Sequence, residues 1–119
     1  MDFWDADLGI AGKILVTGQD AELTACQRIV NGTQAMTIYK PLSRCARAAA
    51  ELAAKLARGK PIITRGALPN GKVQVPSIFV DVVLVTKDNM METVVRDGFH
   101  PFDEIYRGTA ERQRPNGSQ

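Results

Sequence analysis

The chain has 119 residues, 45% of them hydrophobic and 24% charged, with a formal net charge of +2. That length builds one compact core and not two. The charge is small and evenly spread, which excludes a nucleic-acid or membrane surface recognised by electrostatics alone. No apolar run approaches the roughly 20 residues that span a bilayer.

The first residues, Met1-Asp2-Phe3-Trp4-Asp5-Ala6-Asp7, are acidic. A secretory signal needs a basic start and an apolar stretch, so the sequence as written is expected in the cytosol, or as a piece of an exported parent. Cys26 and Cys45 each fall on the apolar face of an expected helix and are read as small buried core residues. There is no CxxC pair and a single histidine, so neither a metal site nor a cofactor is expected.

Residues 13–17 (Lys-Ile-Leu-Val-Thr) are bounded by Gly12 and Gly18 and predict a buried strand. A helix over 21–31 follows, with Asp20 as its N-cap, Leu23, Cys26, Ile29 and Val30 at helical spacing, and Gly32 as its stop. Residues 35–39 alternate, Met36 and Ile38 on one face and Thr37 and Tyr39 on the other, which predicts a second strand. Pro41 opens the next helix. Leu42, Cys45, Ala46, Ala49, Leu52, Ala53 and Leu56 form its apolar stripe, and Gly59 ends it.

Residues 62–75 are less regular, with a turn at Pro69-Asn70-Gly71-Lys72 that predicts a loose hairpin or loop. Residues 77–86 are almost continuously apolar and read as one strand covered on both faces, with Asp81 marking a bend between layers. Asn89-Met90-Met91-Glu92 has capping-box spacing, Met91, Val94 and Val95 give the last helix its inner face, and Gly98 stops it. From Arg107 the chain is polar, so residues 107–119 are expected as a frayed tail. The order βαβαβα implies an α/β fold with a mainly parallel sheet and right-handed crossovers.

Open parallel sheets bind ligands beyond the carboxyl ends of their strands. Asp20 and Lys40 each follow an expected strand. A carboxylate accepts paired hydrogen bonds from adjacent hydroxyls and an ammonium donates to hydroxyl or ring oxygens. The pair suits a neutral, polyhydroxylated ligand. The competing reading makes Asp20 only a helix cap and Lys40 only a solvated strand end.

Three stretches bear on that choice: Thr17-Gly18-Gln19-Asp20-Ala21-Glu22, Ile29-Val30-Asn31-Gly32-Thr33-Gln34 and Met36-Thr37-Ile38-Tyr39-Lys40-Pro41-Leu42. With Val75-Pro76-Ser77-Ile78, Val85-Thr86-Lys87-Asp88-Asn89 and Val94-Val95-Arg96-Asp97-Gly98-Phe99, they resemble consecutive segments of the D-xylose-binding proteins of ABC import systems. The matches run in order from about Gly12 to Tyr106. The resemblance implies an incomplete part of a two-lobed periplasmic-binding-protein fold over residues 1–106, in which Asp20 and Lys40 contact the sugar. It also implies hinge crossings at Lys40 and Pro41 and from Pro76 to Asp81, and assigns the helix after Pro41 to the other lobe. The family's remaining sugar contacts have no counterpart here. Residues 1–8 do not match, and Trp4 is read as a packing residue.

The first function implied is therefore non-catalytic binding of a xylose-like monosaccharide, for delivery to an ABC permease by a parent that is periplasmic. The second is a stand-alone truncated lobe whose exposed faces pair as a homo-oligomer or domain swap, in a structural or sensor role. Catalysis is not expected. His100 stands after a helix stop and reads as a surface loop residue, and no nucleophile motif, phosphate loop or helix-turn-helix is present.

Overall fold

A computed structural model of the chain describes residues 12–109 together with Gly9 and Pro115. Its elements are β1 (Thr17–Gln19), α1 (Leu23–Val30), β2 (Met36–Tyr39), α2 (Leu42–Ala57), β3 (Gly66–Pro69), β4 (Gln74–Ser77), β5 (Val83–Val85), a π-helical turn (Met91–Val95) and α3 (Phe102–Ile105). They fall into two units. One holds the chain up to Tyr39 and again from Val83; the other is Lys40–Val82. Trp4 lies outside the described residues, as does most of the expected tail. Thr109 lies inside them: it is buried and donates from Oγ1 to Asn31 Oδ1 at 3.1 Å, so the chain is still packed two residues past Arg107.

In the first unit, β1 and β2 are parallel, paired from Thr17 opposite Met36 to Gln19 opposite Ile38. Helix α1 makes the crossover. Its end is built by Gly32, whose φ of +81° is open to a residue without a Cβ. Gly32 N–H bonds Ile29 O at 3.1 Å and Thr33 N–H bonds Arg28 O at 2.9 Å, which satisfies the helix's last carbonyls. β5 then pairs antiparallel with β2, Thr37 opposite Val85 and Tyr39 opposite Val83. The α/β class stands, with a mixed sheet in place of a mainly parallel one.

The core of this unit joins Ala21, Cys26, Ile29 and Val30 to Tyr39, Val85, Met90, Val94, Ile105 and Tyr106. Each fully buried aliphatic side chain contributes about 1.5–3 kcal/mol. Phe99 tilts against Tyr39, ring centroids 5.1 Å apart, and Phe102 stacks on Tyr106 at 4.6 Å. Short helix α3, which delivers Ile105 and Tyr106, has no counterpart among the expected elements.

Four expectations are corrected here. The strand expected at 13–17 is Thr17–Gln19, with Ile14 and Leu15 exposed. Its partner β2 starts only at Met36, and the bond from Ala35 N–H to Val16 O, 2.8 Å, is the rung just before it. The expected strand over 77–86 is split, because β4 pairs with β3 and β5 pairs with β2. Between them Ile78, Phe79 and Val82 are exposed. Asn89 does not cap the last helix: its side chain turns back to β5, accepting from Thr86 N–H at 2.8 Å and donating to Leu84 O at 2.9 Å. That helix is a single π turn, with Val95 N–H on Met90 O at 3.2 Å and Arg96 N–H on Met91 O at 3.0 Å.

The fourth concerns the second unit. α2 runs as expected from Pro41, which sits at its N-cap, to Gly59, where Gly59 N–H and Lys60 N–H bond Leu56 O and Lys55 O at 3.0 and 2.9 Å. Yet α2 has no buried residue, and Cys45 is exposed rather than in a core. The stripe is amphipathic, but nothing within its own unit covers it. β3 and β4 form an antiparallel hairpin, Gly66 opposite Ser77 and Pro69 opposite Gln74. Asn70 Oδ1 closes the turn by accepting from Lys72 and Val73 N–H, both at 3.0 Å.

Candidate functional site

The parallel pair β1 and β2 ends at one edge of the sheet. Asp20 follows Gln19 at that edge, and its N–H extends the ladder to Ile38 O at 2.7 Å. Lys40 follows Tyr39 at the end of β2, is half-buried, and is the first residue of the second unit. Both residues thus follow the carboxyl ends of neighbouring parallel strands, the end of an open sheet at which ligands of such folds bind.

Asp20 is not the N-cap expected from its position. The N-cap of α1 is Glu22, without a side-chain capping bond. Between strand and helix the chain inserts two left-handed residues, Asp20 at φ +78° and Ala21 at φ +49°. Among the described residues these are the non-glycine positions with positive φ. A side chain there costs on the order of 1 kcal/mol or more and persists only where the surroundings enforce it. The result is an exposed Asp20 beside a fully buried Ala21.

Three side chains hold Ala21. Its N–H donates to Thr37 Oγ1 at 3.2 Å. Its carbonyl accepts from His100 Nε2 at 2.9 Å and from Cys26 Sγ at 3.5 Å. A carbonyl can only accept, so Nε2 carries the proton. His100 is therefore not the surface loop residue expected from the sequence: it is half-buried, its ring 4.6 Å from that of Phe99. Burial pushes the Cys26 thiol up to about 11, although its backbone hydrogen bond pulls the other way, so it acts as a neutral donor.

The edge is tightly built one residue earlier as well. A Cβ on Gly18 would come 2.6 Å from Gln34 Nε2. Gln34 is buried, donates to Met36 O at 2.9 Å and accepts from Arg28 Nε at 3.3 Å. The remaining expected residues are dispersed: Pro41 is buried at the start of α2, Pro76 pairs with Ala67 in the hairpin, and Asp81 is exposed before β5. Thr37 and His100 were not singled out as site residues. Alternation along β2 puts Thr37 on the Tyr39 face, which is the buried one, and a buried threonine needs a partner; no comparable signal marks His100.

Among the described residues, no helix is long and apolar enough to cross a membrane, and no group of three or more His, Cys, Asp or Glu is placed to hold a metal ion. No family model matches the chain. Individual relatives do. The D-xylose-binding periplasmic protein of Haemophilus influenzae is 46% identical over 98 residues, which is 82% of this chain and 30% of that protein. The chain is homologous to D-xylose-binding periplasmic proteins over part of their length. The corresponding protein of Escherichia coli is 42% identical over 97 residues, 82% of this chain and 29% of its own. The multiple sugar-binding periplasmic receptor ChvE of Rhizobium radiobacter is 32% identical over 76% of this chain and 26% of its own length.

Solved structures agree. A carbohydrate transporter solute-binding protein from Chloroflexus aurantiacus, in complex with D-glucose, matches with a TM-score of 0.68 and 36% identity over 76% of this chain and 26% of that one. An ABC transporter solute-binding protein from Clostridium phytofermentans, with bound β-D-glucose, matches at 0.69 over 76% of this chain and 29% of its own; at 24% identity it supports the fold alone. The chain thus spans under a third of the length of these relatives. They are substrate-binding proteins of transport systems and not enzymes.

Proposed function

We propose that the chain is part of the sugar-binding component of an ABC import system and supplies Asp20 and Lys40 to a site for a xylose-like monosaccharide. The observation that carries this reading is the left-handed backbone that holds an exposed Asp20 just past the carboxyl end of β1, beside the parallel strand β2 that Lys40 follows. Asp20 accepts hydrogen bonds from neighbouring sugar hydroxyls, and Lys40 donates to a hydroxyl or ring oxygen. No bond is made or broken. Binding is reversible and drives closure, with Lys40, Pro41, Pro76 and Asp81 in the hinge crossings. The division of the chain after Tyr39 and after Val82 supports that assignment. The parent delivers its sugar to an ABC permease, in the periplasm as its relatives' names state.

Two polar contacts hold a monosaccharide weakly, so the isolated monomer is expected to bind D-xylose no better than about 1 mM, some −4 kcal/mol. The test is a chimaera in which this chain replaces the matching segment of the Haemophilus influenzae relative. Calorimetric titration is expected to show D-xylose binding. Asp20→Ala and Lys40→Ala in the chimaera should each weaken it about 10- to 100-fold, the loss of hydrogen bonds to a charged group. A folded chimaera whose affinity neither substitution changes contradicts the assignment.

A second reading has its own support. α2 is without a buried residue, and Leu42, Leu56, Ile63, Leu68 and Val73 are exposed. Faces of this kind invite association with another copy. Sedimentation of the isolated chain decides it: a dimer or larger species favours self-association, and a monomer at high concentration removes it.

A further inference from the structure

We propose that Thr37 and His100 are positioning residues for Asp20, acting through the backbone of Ala21; the inference rests on the reading of Asp20 as a sugar contact. A left-handed conformation at two successive residues with side chains does not hold itself. Ala21 is fully buried, so neither its N–H nor its carbonyl has water to bond. Thr37 Oγ1 takes the first at 3.2 Å, and His100 Nε2 serves the second at 2.9 Å.

The two groups arrive from different directions. Thr37 stands on β2, whose register with β1 fixes its height beside Gly18. His100 follows the π-helical turn and is braced by Phe99, which packs on Tyr39. Together they clamp the peptide groups on either side of the Ala21 α-carbon. With those fixed, and with Asp20 N–H fixed to Ile38 O at 2.7 Å, the backbone of Asp20 has bonded anchors on both sides. Cys26 Sγ, at 3.5 Å from the same carbonyl, is a weaker third contact.

The test uses the full chain in four single variants. Thr37→Val keeps the shape and removes the hydroxyl; Thr37→Ser restores it. His100→Leu removes the donor; His100→Gln restores an amide N–H at a comparable reach. The first readout is the strong intraresidue HN–Hα nuclear Overhauser effect that positive φ gives, at Asp20 and Ala21. The second is amide exchange at Ala21. Thr37→Val and His100→Leu are expected to weaken the Overhauser effects. Thr37→Val should also speed Ala21 exchange about tenfold, the worth of one hydrogen bond. Thr37→Ser and His100→Gln are expected to behave as the parent chain.

Wild-type values in both Thr37→Val and His100→Leu overturn the proposal. So does equal loss in the conservative pair, because that reports general damage rather than the hydrogen bond. These readouts need no sugar, so failure of the sugar-site reading in the chimaera is distinguishable from failure here. Where the chimaera binds, Thr37→Val within it should weaken D-xylose less than Asp20→Ala does.

Discussion

The two units of this chain solve the same problem differently. From Thr17 to Tyr39, and again from Val83, apolar side chains find partners: Ile29, Val30, Val85, Met90, Val94 and Ile105 are all essentially inaccessible. Between Lys40 and Val82 the sequence is no less apolar in pattern, yet α2 has no buried residue and the hairpin leaves Leu68, Val73 and Val75 exposed. Periodicity specifies which face of an element is apolar; it does not say whether anything lies against that face. The second unit has its surfaces without a cover of its own.

The largest contrast should come from truncation. Ile29→Ala is expected to destabilise the chain by about 2–5 kcal/mol, a transfer term plus a cavity. Leu56→Ala, on the exposed stripe of α2, should change stability by no more than about 0.5 kcal/mol. Chemical denaturation of both variants checks this. A comparable loss in Leu56→Ala shows that α2 is covered in solution, and the contrast between units then disappears.

The cysteines sharpen the same comparison. Cys45 should react with a maleimide at neutral pH in the folded chain, and Cys26 only on unfolding. Burial raises the Cys26 thiol from 9.0 to about 11, so the folded state holds its proton longer than the unfolded state does. That stability is present below pH 9 and is lost as pH rises toward 11. Tyr106, raised from 10.0 by burial, acts in the same direction. An alkaline melting series should therefore show a falling Tm. A Cys26→Ala variant should retain only the part of that fall due to tyrosine, and an unchanged profile in that variant counts against the assignment to Cys26.

These elements also show what the sequence makes legible. The helix stops at Gly32 and Gly59 and the turn at Asn70 are local chemistry, settled within four or five residues, and all three stand as expected. The start of β1 is not legible locally, because it depends on where β2 begins, some twenty residues away. The exposure of Cys45 is not legible either, because an apolar stripe carries no record of its partner. Asp20 stands out in the sequence by its place after a strand and by resemblance, as a proposed sugar contact. Its actual geometry was out of reach, since the groups that hold Ala21 come from 16 and 79 residues along the chain.

The smallest effect separates strain from packing in the first unit. Asp20→Gly relieves a left-handed residue with a side chain and is expected to raise stability by about 0.5–1 kcal/mol. The same substitution removes the carboxylate and, on the proposed function, weakens sugar binding. A variant that is both more stable and poorer at binding marks a residue kept in place at a cost to folding. If Asp20→Gly is destabilising, its side chain contributes more to the fold than its backbone conformation costs.

On the proposed function, Asp20 and Lys40 each contact a monosaccharide. A ¹⁵N-labelled sample of the whole chain, titrated with D-xylose and with mannitol as a polyol control, tests it most directly. Fast-exchange shifts concentrated at Asp20, Ala21 and Lys40 are expected for D-xylose, and none of that pattern for mannitol. Saturating sugar that leaves those amides unmoved, or shifts that cluster elsewhere on the chain, contradicts it.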